Sequence, residues 1–254
     1  MKITQYLRLF KFRYHISFIY VILGALIFTN QPFYTLIKPL LVVYLSFNVL
    51  LYGGLYTLND IADIESDSKH PIKKNRPLPS KNISISSAYI FAFLCIFIGL
   101  AIVFFYFGKN IFLMYLVFIF INQLYTRIAK KIPYVEILFN IISHPMRFFL
   151  GILLVSNKVP YFLLLAILLF TFGYSCIRRI IEKSSPGWQA RSVLKYYTEK
   201  RLMILQILPL GFIIILSIID YTSYGTWYIV IIILYIISIF GTYFPNYYRW
   251  LLLN

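Results

Sequence analysis

Eight uninterrupted apolar runs, each long enough to cross a bilayer, decide what this chain can fold into. They fall at roughly 14–31, 34–57, 84–107, 110–126, 134–155, 160–181, 202–219 and 224–244. A helix needs about 20 apolar residues to span the hydrocarbon. In that medium the backbone must satisfy its own hydrogen bonds, so the runs are helices. None shows the alternation of a barrel strand. The expected fold class is therefore all-α, a polytopic integral membrane bundle that forms one membrane domain over residues 1–254. Charged residues make up only 13% of the chain, about half the fraction of an ordinary soluble domain. No small-residue cleavage site follows the first run, so it is expected to be retained rather than removed as a signal. Cys95 and Cys176 both lie in spans, which argues against a disulfide framework.

The positive charge sets an expected topology. Of the 24 Lys and Arg, only Lys38, Lys109 and Lys158 fall in the loops of one side, and Arg147 falls inside a span. The rest precede the first span, follow the second, fourth and sixth, or stand at Arg249. This asymmetry places both termini and the basic loops in the cytoplasm. Basic loops facing anionic lipid account for the net charge of +16 without any nucleic-acid partner.

The acidic residues are distributed quite differently. There are only eight, and four of them are Asp60, Asp63, Glu65 and Asp67. On a helix continuing past Asn59, the residues Asn59, Asp60, Asp63 and Asp67 stand at offsets 0, 1, 4 and 8, on one face. Carboxylates grouped in this way repel one another unless a cation sits among them. Oxygen ligands suit a hard ion, and Mg²⁺ commonly takes one or two carboxylates together with substrate phosphate oxygens. Lys69, Lys73, Lys74 and Arg76 follow directly, the cations that a diphosphate leaving group requires.

The segment Asn59-Asp60-Ile61-Ala62-Asp63-Ile64-Glu65-Ser66-Asp67, with Lys74-Asn75-Arg76-Pro77-Leu78 after it, resembles the first signature, N-D-x-x-D-x-x-x-D, of the UbiA prenyltransferase superfamily. The resemblance covers about residues 5 to 205. It implies an all-helical intramembrane enzyme whose spans surround a central cavity that opens sideways to lipid. It further implies that Asn59, Asp60, Asp63 and Asp67 bind Mg²⁺ and a diphosphate donor, and that the acceptor is lipid-soluble. The superfamily usually has nine spans, and after about residue 244 too little chain remains for a ninth.

Three further polar clusters belong to this reading. Tyr125-Thr126-Arg127-Ile128-Ala129-Lys130-Lys131 is similar to the family's Y-x-x-x-K element, although the lysine arrives one position late. The resemblance makes Tyr125 a residue of the reacting centre and Lys130 a diphosphate contact; a basic membrane anchor is the plainer alternative. Span five carries Glu136, Asn140, Ser143, His144 and Arg147 as a polar stripe, with Pro145 expected to kink it. Charges at such depth face a bundle interior or a cavity. Arg147 is then either a contact to an anionic substrate group or the partner of an internal carboxylate, and His144 either a satisfied interior histidine or a proton carrier. After span six, where most of the superfamily places a second aspartate motif, this chain has Arg178-Arg179-Ile180-Ile181-Glu182. Glu182 is within helical reach of both arginines, which gives a paired anchor at the membrane edge. Alternatively Arg178, Arg179 and Glu182 bind substrate in place of a second metal site. That second arrangement resembles the branch that transfers phosphoribose to polyprenyl phosphate, where an arginine matches Arg147 and an aspartate stands in place of Glu136.

The leading expectation is Mg²⁺-dependent transfer of an isoprenoid group from a diphosphate donor to a lipid-soluble or aromatic acceptor. Phosphoribosyl transfer to polyprenyl phosphate is the alternative within the superfamily, and a polytopic transporter the alternative of another class. A transporter calls for ionisable residues near the midplane on several helices; here only span five supplies them.

Overall fold

In a computed structural model the described residues, 2–184 and 187–241, are helical throughout apart from turns and short connections. Among the described residues eight helical stretches are long and apolar enough to cross a membrane: Ile3–Phe28, Phe33–Ala62, Ile85–Phe107, Lys109–Lys131, Val135–Leu153, Tyr161–Lys183, Glu199–Ile219 and Tyr221–Phe240. Large apolar side chains stand outward along them, with Phe105 85% and Phe97 71% exposed. Such surfaces need lipid rather than water as solvent, and the chain is an integral, multi-pass membrane protein. Residues after Gly241, including Arg249, lie outside the described part.

The described residues fall into two compact units, those within Met1–Ile128 and Met146–Lys158 and those within Ala129–Pro145 and Val159–Asn254. The first contains α1 (Lys2–Leu9), a 3-10 stretch (Phe12–Phe18), α2 (Ile19–Phe28), α3 (Phe33–Val43), α4 (Tyr52–Ala62), α5 (Ile64–Ser68), α6 (Ile85–Phe107) and α7 (Lys109–Arg127). The first span starts well before residue 14, because the N-terminal segment is itself helical and broken only around Lys11. Helix α8 (Val135–Leu153) contains Pro145 and contributes its two halves to different units. The second unit also holds α9 (Tyr161–Lys183), α10 (Glu199–Ile219) and α11 (Tyr221–Gly241).

Close backbone approach holds the first unit together. A Cβ at Gly24 would stand 2.0 Å from the Phe148 carbonyl oxygen, and one at Gly151 would stand 2.0 Å from that of Val21. Helix α2 and the later half of α8 therefore cross backbone to backbone, as small residues permit in lipid. Between α3 and α4 the second span passes through a π-helix, Tyr44–Leu51. Its Ser46 carbonyl lies so near α6 that a Cβ at Gly99 would be 2.7 Å away. In the second unit α9, α10 and α11 pack together around Tyr235, whose hydroxyl donates to the Gln206 carbonyl.

Candidate diphosphate site

The acidic segment does not form the single continuous helix that its spacing suggested. Helix α4 carries Asn59 and Asp60 to its end, and Asp63 leaves helical geometry at φ −100°, ψ 1°. The amide of Asp67 donates to the Asp63 carbonyl at 2.8 Å, and the chain turns again as α5. Ile61 and Ile64 anchor this break by packing with Leu9, Leu78, Ile83 and Ala88. The following loop then folds back. The Nδ1 of His70 accepts from the amides of Ile72 and Lys73, and the Ser80 hydroxyl donates to the Arg76 carbonyl.

The result is a compact set of opposed charges. Arg76 Nη1 donates to Asp67 Oδ2 at 2.7 Å and to Asp60 Oδ1 at 3.5 Å, so two carboxylates converge on one guanidinium nitrogen. Lys73 Nζ is 3.9 Å from Asp67 Oδ1, and Lys11 Nζ is 2.6 Å from Asp60 Oδ1. Asp60 and Asp67 are buried, Asp63 is half-buried, and Lys74 is exposed. The Asn59 side-chain carbonyl accepts from Thr126 of α7 at 3.3 Å. Burial pushes the Asp67 carboxyl above its ordinary value; Arg76 and Lys73 oppose this, and Asp60 and Asp63 add to it. Burial would lower Arg76, but Asp60 and Asp67 raise it further. Asp67 therefore depends on the neighbouring cations for its ionised state.

Two tyrosines that the sequence reading did not single out continue this face into the membrane. Tyr52 and Tyr56 precede Asp60 at steps of four on α4, with ring centroids 4.5 Å apart. That spacing was readable, but in a chain so rich in aromatics it carried no distinction. Arg147, 2% exposed, sits over Tyr52 at 4.2 Å, with Phe118 and Phe47 at 5.5 and 5.7 Å. A guanidinium stacked on ring faces in this way gains cation–π attraction that grows as water is removed. Tyr125 of α7 is half-buried.

The other candidates belong to the second unit. Lys130 is half-buried in the 3-10 turn Ala129–Lys131. Arg178 is half-buried and makes no ion pair with another described residue. Arg179 is 1% exposed, and all three of its nitrogens donate to carboxylates. Nε and Nη2 take the two oxygens of Glu136, and Nη1 takes Glu182, each at 2.6 Å. Arg191 bridges the same two glutamates, at 2.8 Å to Glu136 and 3.1 Å to Glu182. The Tyr197 hydroxyl donates to Glu136 at 2.9 Å and accepts from the Tyr134 amide at 2.9 Å. Of the two pairings expected of Glu182, the one with Arg179 is formed, within a larger buried network. Neither Arg191 nor Tyr197 had been connected with Glu136, from which they lie 55 and 61 residues away in sequence.

Among the described residues no three carboxylate, imidazole or thiol groups are set to chelate an ion on their own. The Asp60–Asp67 pair offers two converging carboxylates and only oxygen donors. This suits a Mg²⁺ ion that completes its shell with phosphate oxygens and water.

Comparison with known proteins gives the arrangement a context. The profile of the UbiA prenyltransferase family matches residues 17–251. A digeranylgeranylglyceryl phosphate synthase of Methanococcus aeolicus is 39% identical over 103 residues, which are 40% of this chain and 36% of that one. A protoheme IX farnesyltransferase of Baumannia cicadellinicola is 31% identical over 134 residues, 50% of this chain and 46% of that one. The chain thus spans less than half the length of these curated relatives. Among solved structures, a UbiA homologue from Archaeoglobus fulgidus bound to GPP and Mg²⁺ superposes with a TM-score of 0.80 at 17% identity, covering 93% of this chain and 86% of that one. A digeranylgeranylglyceryl phosphate synthase gives a TM-score of 0.73 at 23% identity, covering 96% and 87%. At these identities the structural likeness is one of fold.

Proposed function

Because the chain belongs to the UbiA prenyltransferase family, we propose that it transfers an isoprenoid group from a diphosphate donor to a lipid-soluble or aromatic acceptor within the membrane. The observation that carries this reading is the convergence of Asp60 and Asp67 on Arg76, with Lys73 beside them. A related fold is known with GPP and Mg²⁺ bound. The family profile runs across both compact units, which supports reading residues 1–254 as one transferase domain. The charge asymmetry supports a cytoplasmic position for the motif loops and both termini.

In this reading Asp60 and Asp67, with Asn59 and Asp63, would hold Mg²⁺, which would supply positive charge to neutralise a diphosphate leaving group. Lys73, Lys74 and Arg76 turn to the phosphoryl oxygens as charge gathers there; Lys130 is a candidate diphosphate contact by its likeness to the family's Y-x-x-x-K element. Positive charge develops on the allylic carbon, and the ring of Tyr125 lies against it. Arg147, Arg178, Arg179 and Glu182 are the remaining candidates for contact with substrate. Arg179 and Glu182 would act from within their own ion-pair network.

The test uses purified protein in detergent with Mg²⁺, labelled isoprenyl diphosphates of several lengths and membrane-lipid extracts as acceptor. Labelled lipid and released diphosphate are expected, with both abolished by Asp67→Asn. Turnover of phosphoribosyl diphosphate onto polyprenyl phosphate, with isoprenyl diphosphates untouched, would move the protein to the other branch. Failure of every donor, together with solute flux in liposomes, would refute an enzyme.

A further inference from the structure

The N-terminal segment brings a cation to Asp60 that the motif does not contain. Lys11 joins α1 to the 3-10 stretch that follows, and its backbone is left-handed, φ 50°, ψ 51°. A side chain with a Cβ resists that conformation, so its neighbours must enforce it. They do so on both sides. Leu9, 1% exposed, packs with Leu78, Ile83 and Ala88. The Phe10 ring lies against α4 where a Cβ at Gly53 would be 2.7 Å from it, and the Phe10 carbonyl meets His15 Nε2 at 3.2 Å.

The imposed turn aims the lysine at the site. Its ammonium lies 2.6 Å from Asp60 Oδ1 and 5.0 Å from the centre of the Tyr56 ring. The Lys11 side chain is 12% exposed, against 30% for Arg76 and 37% for Lys73, which makes it the most enclosed of the three cations. Any ion ligated by Asp60 Oδ1 must displace this ammonium. A lysine suits such an exchange, because its compact charge rides on a flexible stem and its three donors need no fixed plane.

On the reading that these aspartates hold Mg²⁺ for a diphosphate, we propose that Lys11 is a further diphosphate-binding residue that serves as counter-ion to Asp60 until the ligand arrives. Metal alone binds against Lys11, since it strands the displaced ammonium in an enclosed place. Metal with diphosphate binds with its help, since the ammonium finds a phosphoryl oxygen. Lys11 thus couples the two ligands, and each strengthens the other by the same factor.

The experiment compares the full-length protein with Lys11→Met and Lys11→Gly. Glycine accepts the left-handed turn, so that variant keeps the fold while removing the charge. Binding is read by isothermal titration and thermal shift with MgCl₂ alone, inorganic pyrophosphate alone, and both together. In both variants metal alone should bind several-fold more tightly, and pyrophosphate in saturating Mg²⁺ several-fold more weakly. The coupling factor between them should fall by about tenfold. Wild-type-like values for all three titrations in the glycine variant would overturn the role of Lys11 and leave the site reading standing. Wild-type protein that binds pyrophosphate without regard to metal, with Asp67→Asn unchanged from it, would overturn the site reading itself.

Discussion

Glu136 is the residue whose loss should damage this protein most for its size. It is fully buried and accepts two hydrogen bonds from Arg179, one from Arg191 and one from Tyr197. Glu136→Ala leaves the buried Arg179 beside Glu182 but without the carboxylate that took two of its three donors. At an effective dielectric constant near 20, two unit charges about 4 Å apart attract by about 4 kcal/mol before desolvation is counted, and these nitrogens and oxygens stand closer still. Removing one partner of a buried pair costs about 3–5 kcal/mol in practice, because the other charge stays behind. Arg191 gives the comparison, since its side chain is 26% exposed and both glutamates keep Arg179 when it goes. Arg191→Ala should therefore cost only about 1–2 kcal/mol. The assay is reversible unfolding in mixed micelles followed by tryptophan fluorescence, with Trp188 packed against the same cluster as a local reporter. The pair Glu136→Met with Arg179→Met should recover most of the loss, because it removes both charges together. A Glu136→Ala cost below about 1 kcal/mol, or one equal to that of Arg191→Ala, would refute the claim that the network is held as a buried unit.

Two other perturbations test the remaining supports. Gly24→Ala and Gly151→Ala should each cost at least about 2 kcal/mol in thermal unfolding, and their combination less than the sum, since both open the same α2–α8 crossing. Arg76→Lys keeps the charge but loses the planar guanidinium whose Nη1 reaches Asp67 at 2.7 Å and Asp60 at 3.5 Å. It should lower kcat/KM for the diphosphate donor by about 10- to 100-fold with little change in melting temperature, read in the same labelled-donor assay.

The spans were legible because hydrocarbon imposes a length and a composition that no other structure needs. The Asn59–Asp67 segment was legible because charge is so scarce in this chain that four carboxylates together require a cause. What the sequence could not show is how charges meet across long separations. Arg178 and Arg179 look equivalent as neighbours, yet a helical step of about 100° puts one half-outside and the other wholly within the glutamate network. Lys11 reaches Asp60 across 49 positions by way of a left-handed turn that no propensity favours. The helix break at Asp63 likewise follows from the packing of Ile61 and Ile64, not from any breaker residue.

The π-helix at Tyr44–Leu51 sets the phase of everything that follows it in the second span. Each of its wide turns absorbs more chain than an α-turn does. Rewound as α with no residue removed, the same segment would no longer absorb that extra chain, and each residue released would turn the rest of the span by roughly 100° and push it on by about 1.5 Å. Such a rewinding touches neither aspartates nor cations, and the helix it leaves has better hydrogen-bond geometry. Yet Asp60 would swing away from Lys11 and Arg76, and Tyr52 would leave the guanidinium of Arg147. The irregular turn thus works as a timing mark, and a regular second span of the same sequence would deliver the same residues to the wrong side.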